Sequence, residues 1–207
     1  MKRIGIGLGL VALVSLTGCG GKDPAPTPAP PAAAATPTVS ASPGTASPGA
    51  SVSPSADAAV EFTVDGAGPY QLDGDLTTLQ AAPGLGDVAQ GAAPCPQTTT
   101  ARGAGAWQEV ELSFHADGVL YLAVNRSASI PTPSGAWVGS RLAELKTIYR
   151  GIPGEDLTRG AAKAYLVTTT SGRGILFDLG SGGRVVAMMA GESGYLKTSF
   201  VGGKGFC

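Results

Sequence analysis

The chain is poor in charge, in cysteine and above all in histidine. Charged residues occupy 14% of its 207 positions, and there are three cysteines and one histidine. Its 14 Lys and Arg against 15 Asp and Glu form no basic patch or charged block, so nothing points to nucleic acid as a partner. The lone histidine, His115, has no partner at ligand spacing. Glu111 lies on the same strand pattern but four residues away, roughly 13 Å along an extended chain, so neither a metal site nor a cofactor is expected. No stretch supplies the roughly 20 apolar residues that a membrane-spanning helix needs. Glycine and proline are plentiful instead, with 32 and 16 residues.

The N-terminus reads as an export signal over residues 1–18. Met1-Lys2-Arg3 is a short positive region, and Ile4 to Leu16 is uncharged and rich in Ile, Leu, Val and Gly. That run is too short to cross a bilayer but suits the apolar segment of a signal peptide. It ends in Leu16-Thr17-Gly18-Cys19, which resembles the lipobox of bacterial lipoproteins. The resemblance implies that Cys19 takes a diacylglycerol on its thiol before the signal is cleaved. Small residues ahead of the cysteine let the strand enter a narrow protease site. The expected location is therefore the extracytoplasmic face of a cell membrane, with the lipid as the membrane contact. Removal of Lys2 and Arg3 leaves twelve basic residues against fifteen acidic ones, a formal charge of −3.

Residues 19–57 read as the lipidated N-terminus and a disordered tether. From Pro24 to Ala56 every residue is Pro, Ala, Ser, Thr or Gly except Val39 and Val52, and nine of the sixteen prolines lie there. Such a composition offers almost no apolar bulk to offset chain entropy. Proline biases it toward extended polyproline II, which at about 3.1 Å per residue gives a reach on the order of 100 Å; a flexible coil averages roughly 30 Å. Its Ser/Thr-Pro content also permits O-glycosylation.

Residues 58–207 are the length of one domain. With Cys19 acylated, Cys95 and Cys207 remain in an oxidising compartment, where an even pair most simply forms a disulfide. It would close a loop of roughly 110 residues, worth up to about 4–5 kcal/mol in the chain-entropy model. The alternative is two free thiols, one of them catalytic, although neither has an obvious base or cation beside it in sequence.

Within the domain the patterns alternate. Asp75 is suited to cap a short helix carrying Leu76 and Leu79, which Pro83-Gly84 stops. A Gly- and Pro-rich loop containing Cys95 follows. Glu109 to His115 alternates strictly, with Val110, Leu112 and Phe114 on one face, and after Asp117-Gly118 a more apolar strand runs from Val119 to Val124. The order then recurs. Ser140 is expected to cap a helix with Leu142, Leu145 and Tyr149 as its buried stripe, followed by strands Tyr165 to Thr169, Ile175 to Leu179 and Val185 to Met189. Leu76 and Leu142, Leu79 and Leu145, Val119 and Val185, and Leu122 and Met188 are each separated by 66 positions, and Phe114 and Phe177 by 63. The expected fold class is α+β, with two tandem repeats of a short helix plus a small antiparallel β-meander, at about 66–130 and 131–190.

That arrangement resembles the tandem-repeat fold of the β-lactamase inhibitory protein and the single repeat of the small lipoprotein of outer-membrane barrel assembly. Both act by binding other proteins, and the resemblance transfers no functional residue. The segments Asp75 to Gly84 and Thr132-Pro133-Ser134-Gly135 through Leu145 look like a group of uncharacterised actinobacterial lipoproteins. The Ala/Gly/Pro-rich composition agrees with that origin, which would set the anchor on the outer face of the cytoplasmic membrane.

No catalytic constellation is expected. Gly191-Glu192-Ser193-Gly194 has Tyr195 where a nucleophile elbow needs glycine. Glu155-Asp156 reads as loop, and Asp73 and Asp75 as loop and capping residues. The Gly172-x-Gly174 and Gly180-x-Gly182-Gly183 runs fall in turns between strands, where they cradle no phosphate. The expected function is a non-catalytic binding or accessory domain displayed in the cell envelope, with an envelope protein as its partner. Trp107 and Trp137, beside glycines at element boundaries, are the candidate binding anchors; the alternative for both is a place in the core. The competing functions are a cell-envelope hydrolase, with His115 in a pocket beside a serine or carboxylate, and a solute-binding lipoprotein of a transporter.

Overall fold

The computed structural model describes residues 60–206 apart from 94 and 204. The signal segment, the lipobox residues Leu16, Thr17 and Gly18, the lipidation residue Cys19, the tether and Cys207 lie outside the described residues.

The chain enters through three two-residue strands, β1 (Phe62–Thr63), β2 (Gly66–Ala67) and β3 (Tyr70–Gln71), which pair as a small antiparallel sheet. Helix α1 (Leu76–Ala81) starts where Asp75 Oδ1 accepts the N–H groups of Thr77 and Thr78 at 2.9 and 3.2 Å. Then come β4 (Leu85–Gln90), β5 (Thr99–Gly103), a 3₁₀ turn at Gly105–Trp107, β6 (Val110–Phe114) and β7 (Leu120–Asn125). Helix α2 (Leu142–Ile148) leads to β8 (Gly154–Arg159), β9 (Ala162–Thr168), β10 (Arg173–Leu179) and β11 (Val185–Glu192), and α3 (Ser193–Gly202) follows. The fold is thus mixed helix and sheet with a predominance of antiparallel strands, as expected.

The eight longer strands form one sheet in the order β4-β5-β6-β7-β11-β10-β9-β8, every pair antiparallel. Two four-stranded meanders, each preceded by a helix, therefore meet along β7 and β11, where Ala123 faces Ala190 and Val124 faces Met189. Val110, Leu112 and Phe114 are fully buried, as their alternation predicts. On that face they meet Phe62 and Tyr70 of the small sheet, Leu79 of α1, and Leu145 and Tyr149 of α2. The opposite face is apolar too. Leu122, Val124, Leu166, Leu176 and Met189 lie there under Leu196 and Phe200 of α3. Burial on both faces explains why β7 reads as a nearly continuous apolar run.

Several expectations need correction. The Gly- and Pro-rich segment around Cys95 is flanked by paired strands, β4 and β5, because antiparallel partners override weak strand propensity. Glu155 and Asp156 stand on the edge strand β8 and form ion pairs with Lys197 and Lys146. Ser140 does not cap α2. The cap residue is Arg141, whose N–H donates to Glu144 Oε2 at 2.8 Å, while the buried Ser140 Oγ accepts from the Trp137 N–H at 3.2 Å. The Gly191 to Gly194 segment runs from the end of β11 into α3, with the Glu192 carboxylate accepting the N–H groups of Gly194 and Tyr195.

Candidate functional site

The two tryptophans, alike in sequence context, have different surroundings. Trp107 is the last residue of the 3₁₀ turn and packs its ring edge-on to Tyr70, with centroids 6.5 Å apart at 81°. It needs glycines beside it. A Cβ on Gly68 would stand 2.1 Å from Trp107 Cζ2, and one on Gly103 would stand 2.5 Å from Trp107 Cβ. Trp107 is a partly buried member of the main core and closes the seam between the small sheet and the large one.

Trp137 is 44% exposed. It sits in the turn before α2, and its six-membered ring lies against Gly139, where an ideal Cβ would be 2.8 Å from Cζ3. Gly139 adopts φ +118°, a conformation that also favours glycine. The turn is tied down on several sides. Ser140 N–H donates to Trp137 O at 3.0 Å, Gly139 N–H to Val185 O at 2.9 Å, and Arg184 Nη1 to Gly139 O at 2.9 Å. Beside the indole runs an open groove of about 510 Å³, lined by Gly135, Ala143, Glu144, Thr147 and Ile148. That volume is within the range of small-ligand sites. Of the two residues expected as anchors, Trp137 alone presents an accessible ring on a held backbone.

His115 follows β6 and is exposed. Its ring stacks on Tyr121, with centroids 4.1 Å apart at 18°. It stands between two open hollows. One, of about 640 Å³, is shared with Cys95, Gln97 and Asp117; the other, of about 410 Å³, with Asp73, Tyr121, Arg173 and Glu192. Among the described residues no side chain hydrogen-bonds to the His115 ring, and no cluster of three potential metal ligands occurs. The charged groups of the second hollow are already engaged. Arg173 Nη1 donates to Asp65 Oδ1 at 2.7 Å and Nη2 to Asp73, chiefly the former raising its pKa. Glu192 caps α3. Arg173 therefore clips the small sheet to the large one.

The Tyr121 hydroxyl donates to Phe206 O at 3.2 Å, and burial raises the pKa of Tyr121 and, more strongly, of Tyr195 beside it. Cys95 is disulfide-bonded; the expected partner, Cys207, lies outside the described residues. Sequence reasoning missed Gly139 and Glu144. A glutamate at the third position of a helix is a recognisable capping signal, but nothing in the sequence ties it to a tryptophan seven positions earlier.

No family model matches the chain, and no curated protein does. Among solved structures it is similar to an extracellular protein containing an SCP domain from Bacillus anthracis str. Ames, with 10% identity and a TM-score of 0.41 over 61% of this chain and 46% of that one. The chain thus spans less than half the length of that protein. A likeness of this size carries no argument about fold or activity.

Proposed function

We propose that this chain is a membrane-anchored extracytoplasmic lipoprotein whose folded domain is a non-catalytic binding or accessory module of the cell envelope. The anchor rests on the sequence: a basic start, a short apolar run and Leu16-Thr17-Gly18-Cys19 make Cys19 the lipid attachment point. Residues 24–56 then serve as the spacer between lipid and domain.

The observation that carries the binding reading is Trp137. A large aromatic ring that is nearly half exposed, seated on a glycine in a turn held by two backbone hydrogen bonds and one from Arg184, contributes little to the core and is pre-oriented for contact. The hydrolase reading has less behind it, because the His115 ring rests on Tyr121 and not on a serine or carboxylate.

Two structural parts complete the proposal. Cys95 and Cys207 form the disulfide. The reading is supported by the Tyr121 hydroxyl, which donates to the carbonyl of Phe206 while its ring stacks on His115, a residue that lines one hollow with Cys95. The domain itself is a tandem repeat. The helix pairs Leu76/Leu142 and Leu79/Leu145 keep the 66-residue spacing, and the hydrogen bonds Leu76 N to Gly118 O and Leu120 N to Gly74 O have counterparts in Leu142 N to Gly183 O and Val185 N to Ser140 O; these match Leu120, not Val119, to Val185, and Leu122 and Met188 lie on opposite faces of the sheet. The isolated bridges Asp75–Val119 and Arg141–Arg184 correspond in the same way.

The test is a pull-down from membranes with acylated full-length chain, analysed by mass spectrometry, comparing wild type, Trp137→Ala and Cys19→Ser. A specific partner lost in Trp137→Ala, together with release of Cys19→Ser from the membrane fraction, is the expected result. Retention of the partner by Trp137→Ala refutes the docking role, and membrane association of Cys19→Ser refutes the anchor.

A further inference from the structure

We infer that the Trp137 groove recognises a cationic side chain, an arginine presented by a protein partner; this rests on the reading of Trp137 as a docking residue. The argument is one of charge and ring chemistry. Among the described residues, Glu144 is the one ionisable group lining the groove. Its Oε2 accepts the Arg141 N–H, a neutral donor, and its carboxylate has no ion-pair partner among the described residues. Its other oxygen accepts no hydrogen bond among the described residues, so the groove is lined by a carboxylate with a free acceptor. Arg184, which approaches the same turn, is held on the carbonyl of Gly139 and does not line the groove.

Indole is the side chain whose face attracts a cation most strongly, and guanidinium is the cation most often found there, because it is planar and weakly hydrated. Gly139 supports one side of the ring, so the ring need not be ordered on binding. Ala143 and Ile148, which also line the groove, suit the methylene stem of arginine, whose head then lies between the indole face and Glu144. An anion would be repelled by Glu144. A purely apolar side chain would make no use of that carboxylate.

The probe is the peptide acetyl-Gly-Arg-Gly-amide, titrated against the full chain alongside its citrulline and leucine counterparts. Citrulline keeps the shape of arginine and lacks its charge. Trp137 emission is read in a Trp107→Phe background; the Trp137 indole N–H signal by NMR, in the unsubstituted chain, gives the same readout if that background is unstable. The expected result is a saturable shift with arginine, at least about fivefold weaker with citrulline or leucine, and weakened by salt. Glu144→Gln, which keeps an acceptor for the Arg141 N–H, lowers arginine affinity by about two- to fivefold and removes most of the salt dependence. Equal shifts with arginine, citrulline and leucine, or no shift with any, overturn the inference. If Trp137→Ala loses its membrane partner while arginine leaves Trp137 unperturbed, the cationic ligand is wrong and the docking role survives. If Trp137→Ala keeps that partner, the docking role itself has failed.

Discussion

Alanine at position 107 and alanine at position 137 have different consequences for stability, and the difference follows from what each ring touches. Trp107 fills space that Gly68 and Gly103 leave open and meets Tyr70 edge-on, so its removal leaves a void at the seam between the two sheets. Large-to-small changes of buried tryptophan cost about 3–5 kcal/mol; partial exposure of Trp107 points to the lower end, about 3 kcal/mol. For a domain of this size that lowers Tm by roughly 6–12 °C. Trp137 is 44% exposed and its ring rests chiefly on Gly139, so Trp137→Ala costs about 1 kcal/mol or less and no more than about 4 °C. Thermal unfolding of both variants by circular dichroism, at one pH and one protein concentration, measures the contrast. A Trp137→Ala variant as destabilised as Trp107→Ala would make Trp137 a core residue and remove the basis for a docking role. A Trp107→Ala variant within about 2 °C of wild type would refute the assignment of that ring as a plug.

Three further outcomes are expected. Asn125 is fully buried, with Nδ2 donating to Ile130 O at 2.9 Å and Oδ1 accepting from Ser127 N at 2.8 Å, so Asn125→Ala strands backbone groups and costs about 1–3 kcal/mol in denaturant unfolding. Burial raises the pKa of Asp178, so the ionised carboxylate opposes folding; this penalty is absent at acid pH and sets in as pH rises through the raised pKa. Asp178→Asn should therefore raise Tm at pH 7 and lose that advantage on acidification, and an equal effect at both pH values refutes the assignment. Cys95 should resist alkylation in the non-reduced protein, and peptide mapping should recover it linked to Cys207; rapid labelling of both thiols without reductant would refute the pair.

The sequence alone carried the local and one-dimensional features. Asp75 caps α1 because a short acceptor side chain reaches back to free N–H groups within three residues. Val110, Leu112 and Phe114 face the core because strand side chains alternate. The 66-residue spacing fits the helices but not the strands: Leu122 and Met188, spaced so, lie on opposite faces of the sheet, because a one-position slip in a strand reverses the face.

Tertiary structure decided what depends on partners distant along the chain. The strand β4 exists because β5 lies beside it, and its own residues, Leu85 to Gln90, have no alternating pattern. Helix α3 was hidden in a glycine-containing segment and is held by Leu196 and Phe200 against a sheet face that the sequence presents as merely apolar. Ser140 looked like a cap because hydroxyls before helices usually are, but it was drawn inward by the Trp137 N–H. The same cause separates the two tryptophans. Both stand near glycines, but Gly68 and Gly103 admit Trp107 between two sheets, whereas Gly139 supports Trp137 from beneath and leaves it at the surface. Burial is a property of what packs on top of a residue, and local sequence does not contain it.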